Sequence, residues 1–146
     1  MSPPQNPTIF LLGATGYVGG CYLNQLLSGS STPKKITVLS RSAAKFDLVK
    51  GLSTAETLVE PLSGSFDDHD LITQTAYEHD ITIEAGDSDN PGLVDALLRG
   101  MKKRKEEGND TTFIHVSGTG TLADDARGEY KSDIVSLSWQ LSHQCH

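Results

Sequence analysis

The sequence predicts an α/β fold, a doubly wound parallel sheet with its strands in the order 3-2-1-4-5. Three observations carry this expectation. Short β-branched and apolar runs alternate with amphipathic helical patterns over about 110 residues. The first run is apolar without interruption, as in a strand covered on both faces. A glycine-rich turn joins that run to the first helix. Such alternation implies right-handed crossovers that leave helices on both sides of the sheet.

Taken in order, Ile9 to Leu12 is bounded by Pro7 and Gly13 and forms strand one. From Tyr17 the spacing is helical, with Val18, Tyr22 and Leu26 on one face and Leu23 and Leu27 beside them, until "SGSSTP" stops it. "KITVLSR", Lys35 to Arg41, is strand two, and "SAAKFDLVKGL" is a short helix with Ser42 as its cap. "TLVEPL" is strand three, where Pro61 cannot donate to a ladder and so suits an edge. "DDHDLITQTAYEHD" sets Leu71, Ile72, Thr75 and Ala76 on one helical face with acids in the first turn, where the helix dipole favours them. "ITIEAGD" follows as strand four.

The clearest helix is "NPGLVDALLRGMKKRKEEG". Asn90 caps it, Pro91 suits its first turn, Leu93, Val94, Leu97, Leu98 and Met101 form its apolar stripe, and Gly108 ends it. The "KKRK" run, Lys102 to Lys105, complements the negative end of the dipole. "TTFIHVSGTG" completes the series as strand five, with His115 expected to be a satisfied core histidine.

A chain of 146 residues holds one domain with a sizeable core. Its formal net charge of -7 argues against nucleic acid and against an anionic membrane surface, since the field of the whole molecule repels both. Any anion site must therefore be local. The two cysteines, Cys21 and Cys145, form no disulfide framework, and no export signal or membrane span is visible, so a cytoplasmic location is expected. "HQCH" offers His143, Cys145 and His146 without a rigid fourth ligand, and no metal site is assigned.

"GATGYVG" leaves the first amides of the helix pointing at one spot, where the helix dipole adds positive charge. Gly13 permits the sharp turn, Gly16 admits a pyrophosphate close to the backbone, and Gly19 lets the helix pack on the strand. With "HVSGTG", "IEAGD", "GSFDD" and "VLSRS" at the later strand ends, "LLGATGYVGG" resembles the extended and atypical short-chain dehydrogenase/reductase superfamily, in particular its NmrA-like fungal NAD(P)-binding proteins. The likeness runs from about Thr8 to Tyr130. It implies a Rossmann-type fold in which Gly13, Thr15, Gly16, Tyr17 and Val18 hold the pyrophosphate. It also implies that Asp67 lies near the adenine, that Ala85 and Gly86 border the nicotinamide-side ribose, and that Ser117 and Thr119 face the nicotinamide or substrate. For Asp67 a helix N-cap is an equally good reading.

An NAD site usually carries an acid at the end of strand two, whereas an NADP site has a cation for the 2′-phosphate. "LSRS" supplies Arg41 and no acid, so NADP is expected over NAD, with Ser42 and Lys45 either assisting or forming solvated helix surface. No tyrosine precedes a lysine by four residues: Tyr17, Tyr22, Tyr77 and Tyr130 are followed at that spacing by Cys21, Leu26, Ile81 and Ile134. The proton-exchanging pair usual in the superfamily is absent, and no catalytic residue is assigned.

Residues 1–7 are expected to be a disordered leader, 8–123 the NAD(P)-binding domain, and 124–146 a divergent tail, with the chain truncated after strand five. The function expected is an NAD(P)-binding protein of that superfamily lacking its catalytic and substrate-binding C-terminal part. The alternatives are a cofactor-sensing regulatory module without turnover and a nonfunctional product. The dinucleotide is the expected partner; a protein partner or a homo-oligomer is left open.

Overall fold

The computed structural model describes residues 6–29 and 32–118. The chain divides into two compact units, Met1–Val116 and Ser117–His146, and the first of them carries every regular element among the described residues. Its five strands are β1 (Thr8–Leu12), β2 (Lys35–Ser40), β3 (Leu58–Ser63), β4 (Ile81–Glu84) and β5 (Thr112–His115). They form one sheet, all parallel, in the order β3-β2-β1-β4-β5, as the sequence predicts. The helices are α1 (Tyr17–Ser28), α2 (Phe46–Lys50), α3 (His69–Glu78) and α4 (Pro91–Glu106).

The unbroken apolar run of β1 has a simple cause: its side chains alternate between two cores. Ile9 and Leu11 enter one with Leu23 of α1, Val49 of α2, and Ile36, Val38 and Ile83. Phe10 and Leu12 enter the other with Ile72 and Ala76 of α3 and with Leu93, Leu97 and Met101 of α4. Phe10, Leu11 and Leu12 are each wholly buried, and burial of such a side chain is worth roughly 1.5 to 3 kcal/mol. Pro61 sits in the edge strand β3, opposite Val38.

Several local expectations hold, and several are corrected. Asn90 Oδ1 accepts the Leu93 N–H at 3.0 Å and caps α4, and Gly108, with φ +84°, follows its end. Ser42 does not cap α2, because a single 3₁₀ turn, Ala43–Lys45, intervenes and puts Lys45 at the N-cap without a side-chain bond. On α1 the buried residues are Gly19 and Leu23, while Val18 and Tyr22 are exposed. The helix is turned so that Leu23 enters the core beside Ile9 and Leu11 while Gly19 meets the backbone of the turn after β1. Leu98 likewise faces solvent, and Ala96 and Gly100 take the inner face of α4.

The amino ends of the strands are tied by one polar network. Asp80 Oδ2 accepts both the Thr8 N–H and the Thr8 hydroxyl at 2.8 Å, and Oδ1 pairs with Arg104, which also donates to the carbonyls of Tyr77 and Asp110. Burial pushes the Asp80 carboxyl up, but the Thr8 bonds and the Arg104 charge outweigh it and hold it below the ordinary carboxylate range.

Beside this network His79 is buried against Phe10. Its Nδ1 lies 2.7 Å from the Thr75 carbonyl, which can only accept, so Nδ1 carries the proton and Nε2 accepts from the Thr37 hydroxyl at 2.8 Å. Burial pushes its pKa down, against the opposing pull of the Thr75 carbonyl. Because the folded value lies below the unfolded one, the unfolded chain binds the proton first as pH falls. Stability from this group is therefore full above about pH 6.5 and declines below it. Denaturant titrations at several pH values should show that decline in the wild type and a shallower one in His79→Gln; identical slopes would exclude it.

Candidate functional site

At the carboxyl end of β1 the chain turns through Gly13, whose φ of +79° favours glycine. A Cβ there would stand 2.4 Å from the Ala85 carbonyl oxygen and 2.6 Å from the Gly86 nitrogen. The backbone leaving β4 thus lies directly against the turn, aligned by the pairing of Leu12 with Glu84 and by the Ala85 N–H donated to the Leu12 carbonyl at 3.2 Å. Gly19 is as tightly placed, since its Cβ would meet the Gly13 carbonyl oxygen at 2.2 Å. Each glycine therefore lets two backbones touch.

Gly16 closes the turn by donating to the Gly13 carbonyl at 2.9 Å and stands as the N-cap of α1 without a side-chain bond. No acidic residue occupies the first turn of α1, and among the described residues the amides of Tyr17, Val18 and Gly19 have no acceptor. Unpaired amides at a helix start whose first turn carries no acid can seat an anion. Tyr17 and Val18 would act there through their backbone, because their side chains face outward and line a separate apolar hollow with Cys21, Tyr22 and Gln25.

A cavity of about 170 Å³ opens beside the turn. Gly13 and Thr15 bound it on the side of β1, and Leu39, Ser40, Arg41, Ser42 and Lys45 on the side of β2. Gly64 and Phe66 close it from the end of β3. Ser40 Oγ accepts the Ser42 N–H at 3.3 Å and shapes the bend that carries Arg41. The lining holds two cations and no acid, although the chain as a whole has a net charge of -7. This is the local positive site that the overall charge requires of any anion binder.

Asp67 is not among these residues. It lines a wider, open hollow of about 650 Å³ with Ser63, Asp68, His69, Asp70, Leu71 and Arg99, where three carboxylates oppose one guanidinium. That hollow is larger but has the wrong sign for a phosphate. Nor is Asp67 the N-cap of α3: Asp68 takes that position, and its Oδ2 accepts the Ser65 N–H at 2.6 Å. Ala85 and Gly86 reach the glycine turn through their backbone, as described. Ser117 is exposed and opens the second unit, and Thr119 lies outside the described residues.

Two residues at the site escape sequence reasoning. Phe66 lines the cavity and extends its ring to Gly86, where a Cβ would come within 2.5 Å of Cζ. Glu84, at the end of β4, is wholly buried; its Oε1 accepts the N–H groups of Gly86 and Asp87, both at 2.7 Å. Its Oε2 lies 2.9 Å from His115 Nδ1 and has no hydrogen-bond partner among the described residues. His115 is therefore a partly exposed partner of a buried acid, not the enclosed core histidine expected. Among the described residues no cluster suited to a metal ion occurs, and no helix is long and apolar enough to cross a membrane.

No protein-family model matches the chain. It is 33% identical over 114 residues to the oxidase ucsJ of an Acremonium species, an alignment covering 78% of this chain and 31% of that protein. The chain thus spans about a third of the length of this curated relative. Among solved structures it is similar to a protein described as an epimerase from Bacteroides thetaiotaomicron, with a TM-score of 0.58 and 21% identity, over 79% of this chain and 49% of that one. It is also similar to saccharopine dehydrogenase (L-Glu forming) from Saccharomyces cerevisiae, with a TM-score of 0.53 and 16% identity, over 75% of this chain and 21% of that one. With the strand order these likenesses establish a Rossmann-type α/β fold.

Proposed function

We propose that this chain is the dinucleotide-binding part of an oxidoreductase-like protein and that it prefers NADP to NAD. The observation that carries the reading is one cavity in which the glycine turn meets Arg41 and Lys45. The donor set fits the cofactor. The unpaired amides at the start of α1 would receive the pyrophosphate, with Gly16 admitting it close to the backbone. Arg41 would hold the 2′-phosphate, helped by Ser42 and Lys45, and Leu39 and Phe66 supply apolar walls for the adenine end in place of Asp67. Ala85 and Gly86 would border the other ribose, at the carboxyl edge where open sheets of this kind bind ligands.

Bound NADP supplies hydride transfer, and the residues of this chain bind and orient it. The likeness to a protein described as an oxidase supports the redox assignment. The resemblance of "LLGATGYVGG" to the atypical short-chain dehydrogenase/reductases, NmrA-like proteins among them, supports the same cofactor class.

Fluorescence titration of the purified chain with NADPH and NADH tests the reading. Both should saturate, NADPH more tightly. Arg41→Ala should weaken NADPH by roughly one to two decades, the worth of a charge-assisted phosphate contact, and leave NADH within about twofold. Equal loss for both cofactors would refute the role of Arg41; no saturation by either would refute the site.

A further inference from the structure

The carboxylate of Glu84 is wholly buried in a strand whose neighbouring residues serve the core, a costly place for a charge unless it holds something. It holds backbone. Both N–H groups that it accepts, from Gly86 and Asp87, belong to the segment that abuts Gly13, and the strand register puts His115 beside its second oxygen. The contact between this segment and the turn is backbone against backbone, with no Cβ at Gly13 to cushion it. Any shift of Ala85 and Gly86 therefore alters the space at the turn and slides Gly86 under the Phe66 ring, which itself lines the cavity.

We propose that Glu84, seated by His115, is a positioning residue of the nucleotide site, clamping the Ala85–Asp87 backbone against the glycine turn. This rests on the dinucleotide reading above. Glu84 touches no ligand; it acts by fixing the edge of the site that the ligand meets. A glutamine at position 84 retains an oxygen able to accept both N–H groups, and its amide can donate to a neutral His115 Nδ1. An alanine retains neither.

The test uses the full chain as wild type, Glu84→Ala, Glu84→Gln and His115→Ala, with NADPH as the probe and amide hydrogen exchange as a second readout. Glu84→Ala should weaken NADPH by about tenfold or more, consistent with losing two backbone hydrogen bonds from the clamp. In the same variant the Gly86 and Asp87 amides should lose protection while Leu11 and Leu12 in β1 keep theirs. Glu84→Gln should bind within about threefold of wild type, a rescue that tracks the carbonyl acceptor and not the charge. His115→Ala should fall between the two.

If Glu84→Ala does not fold, Glu84→Gln and His115→Ala still decide the matter through binding and exchange at Gly86. A folded Glu84→Ala chain with wild-type affinity, or unchanged exchange at Gly86 and Asp87, overturns the clamp alone. A wild-type chain that saturates with neither dinucleotide overturns the functional reading as well, and the exchange data then report only a structural lock.

Discussion

Gly13→Ala is expected to destabilise the chain by about 3 kcal/mol or more and to abolish measurable dinucleotide binding. Two separate penalties act. The φ of +79° suits glycine and costs an L-residue about 1 to 2 kcal/mol. The added Cβ would then stand 2.4 Å from the Ala85 carbonyl oxygen, and this obstacle is backbone held by strand pairing, with no flexible side chain to swing away. Relief requires β1 and β4 to part at their carboxyl ends, the edge proposed to receive the dinucleotide. Gly20→Ala, in α1 with only an ordinary 3.4 Å contact, should be neutral or stabilising by up to about 1 kcal/mol. Urea unfolding of the two variants checks both statements, and a Gly13→Ala chain within about 0.5 kcal/mol of wild type would sink the first.

The second large effect is expected at Gly100, which does not line the cavity beside the glycine turn. Here α4 crosses α3 so closely that a Cβ would lie 2.1 Å from the Thr73 carbonyl oxygen and 3.0 Å from the Tyr77 nitrogen. The Thr73 hydroxyl donates to the Ala96 carbonyl at 3.0 Å and fixes the same crossing. Gly100→Val should therefore destabilise by about 3 kcal/mol, because the helices must separate and loosen Ile72, Ala76, Leu97 and Met101 behind them. The loss should appear in the unfolding midpoint. Any folded fraction should keep its NADPH affinity within about twofold, since the crossing lies on a helix face that does not line the cavity. Equal stability for the variant and the wild type would contradict the packing at this crossing.

Both positions show which parts of the molecule the amino-acid sequence makes legible. The strand order follows from alternation and from a run apolar enough to be buried twice, and the structure reproduces it. The glycines of the turn are readable because the spacing of three small residues between a strand and a helix has few other uses. The face of α1 is not readable in the same way. Val18, Tyr22 and Leu26 make an apolar stripe, but the buried face is that of Leu23 and of Gly19, which rests on the turn and adds nothing to an apolar pattern. Ser42 loses its capping role because one extra turn of 3₁₀ helix, which no residue announces, separates it from α2.

Glu84 and Phe66 are hidden for opposite reasons. An acid at the end of a strand reads as solvated, and only the fold reveals two backbone amides and a histidine around it. A phenylalanine between Ser65 and Asp67 reads as a loop residue, and only the sheet brings Gly86 beneath its ring. Arg41 and Lys45 were visible as cations, yet their convergence with Gly13 and Thr15 on one cavity depends on the bend after β2. Local chemistry is written in the chain; encounters between distant segments are not.

The central place of β1 bears on how the molecule is born. β1 pairs with β4, and the bonds joining Thr8 to Asp80 span 72 residues. Contacts of such long range are formed late, since loop closure must precede them. A nascent chain that has synthesised "GATGYVG" therefore still lacks the backbone that buttresses Gly13, which arrives only when Ala85 and Gly86 have emerged and docked.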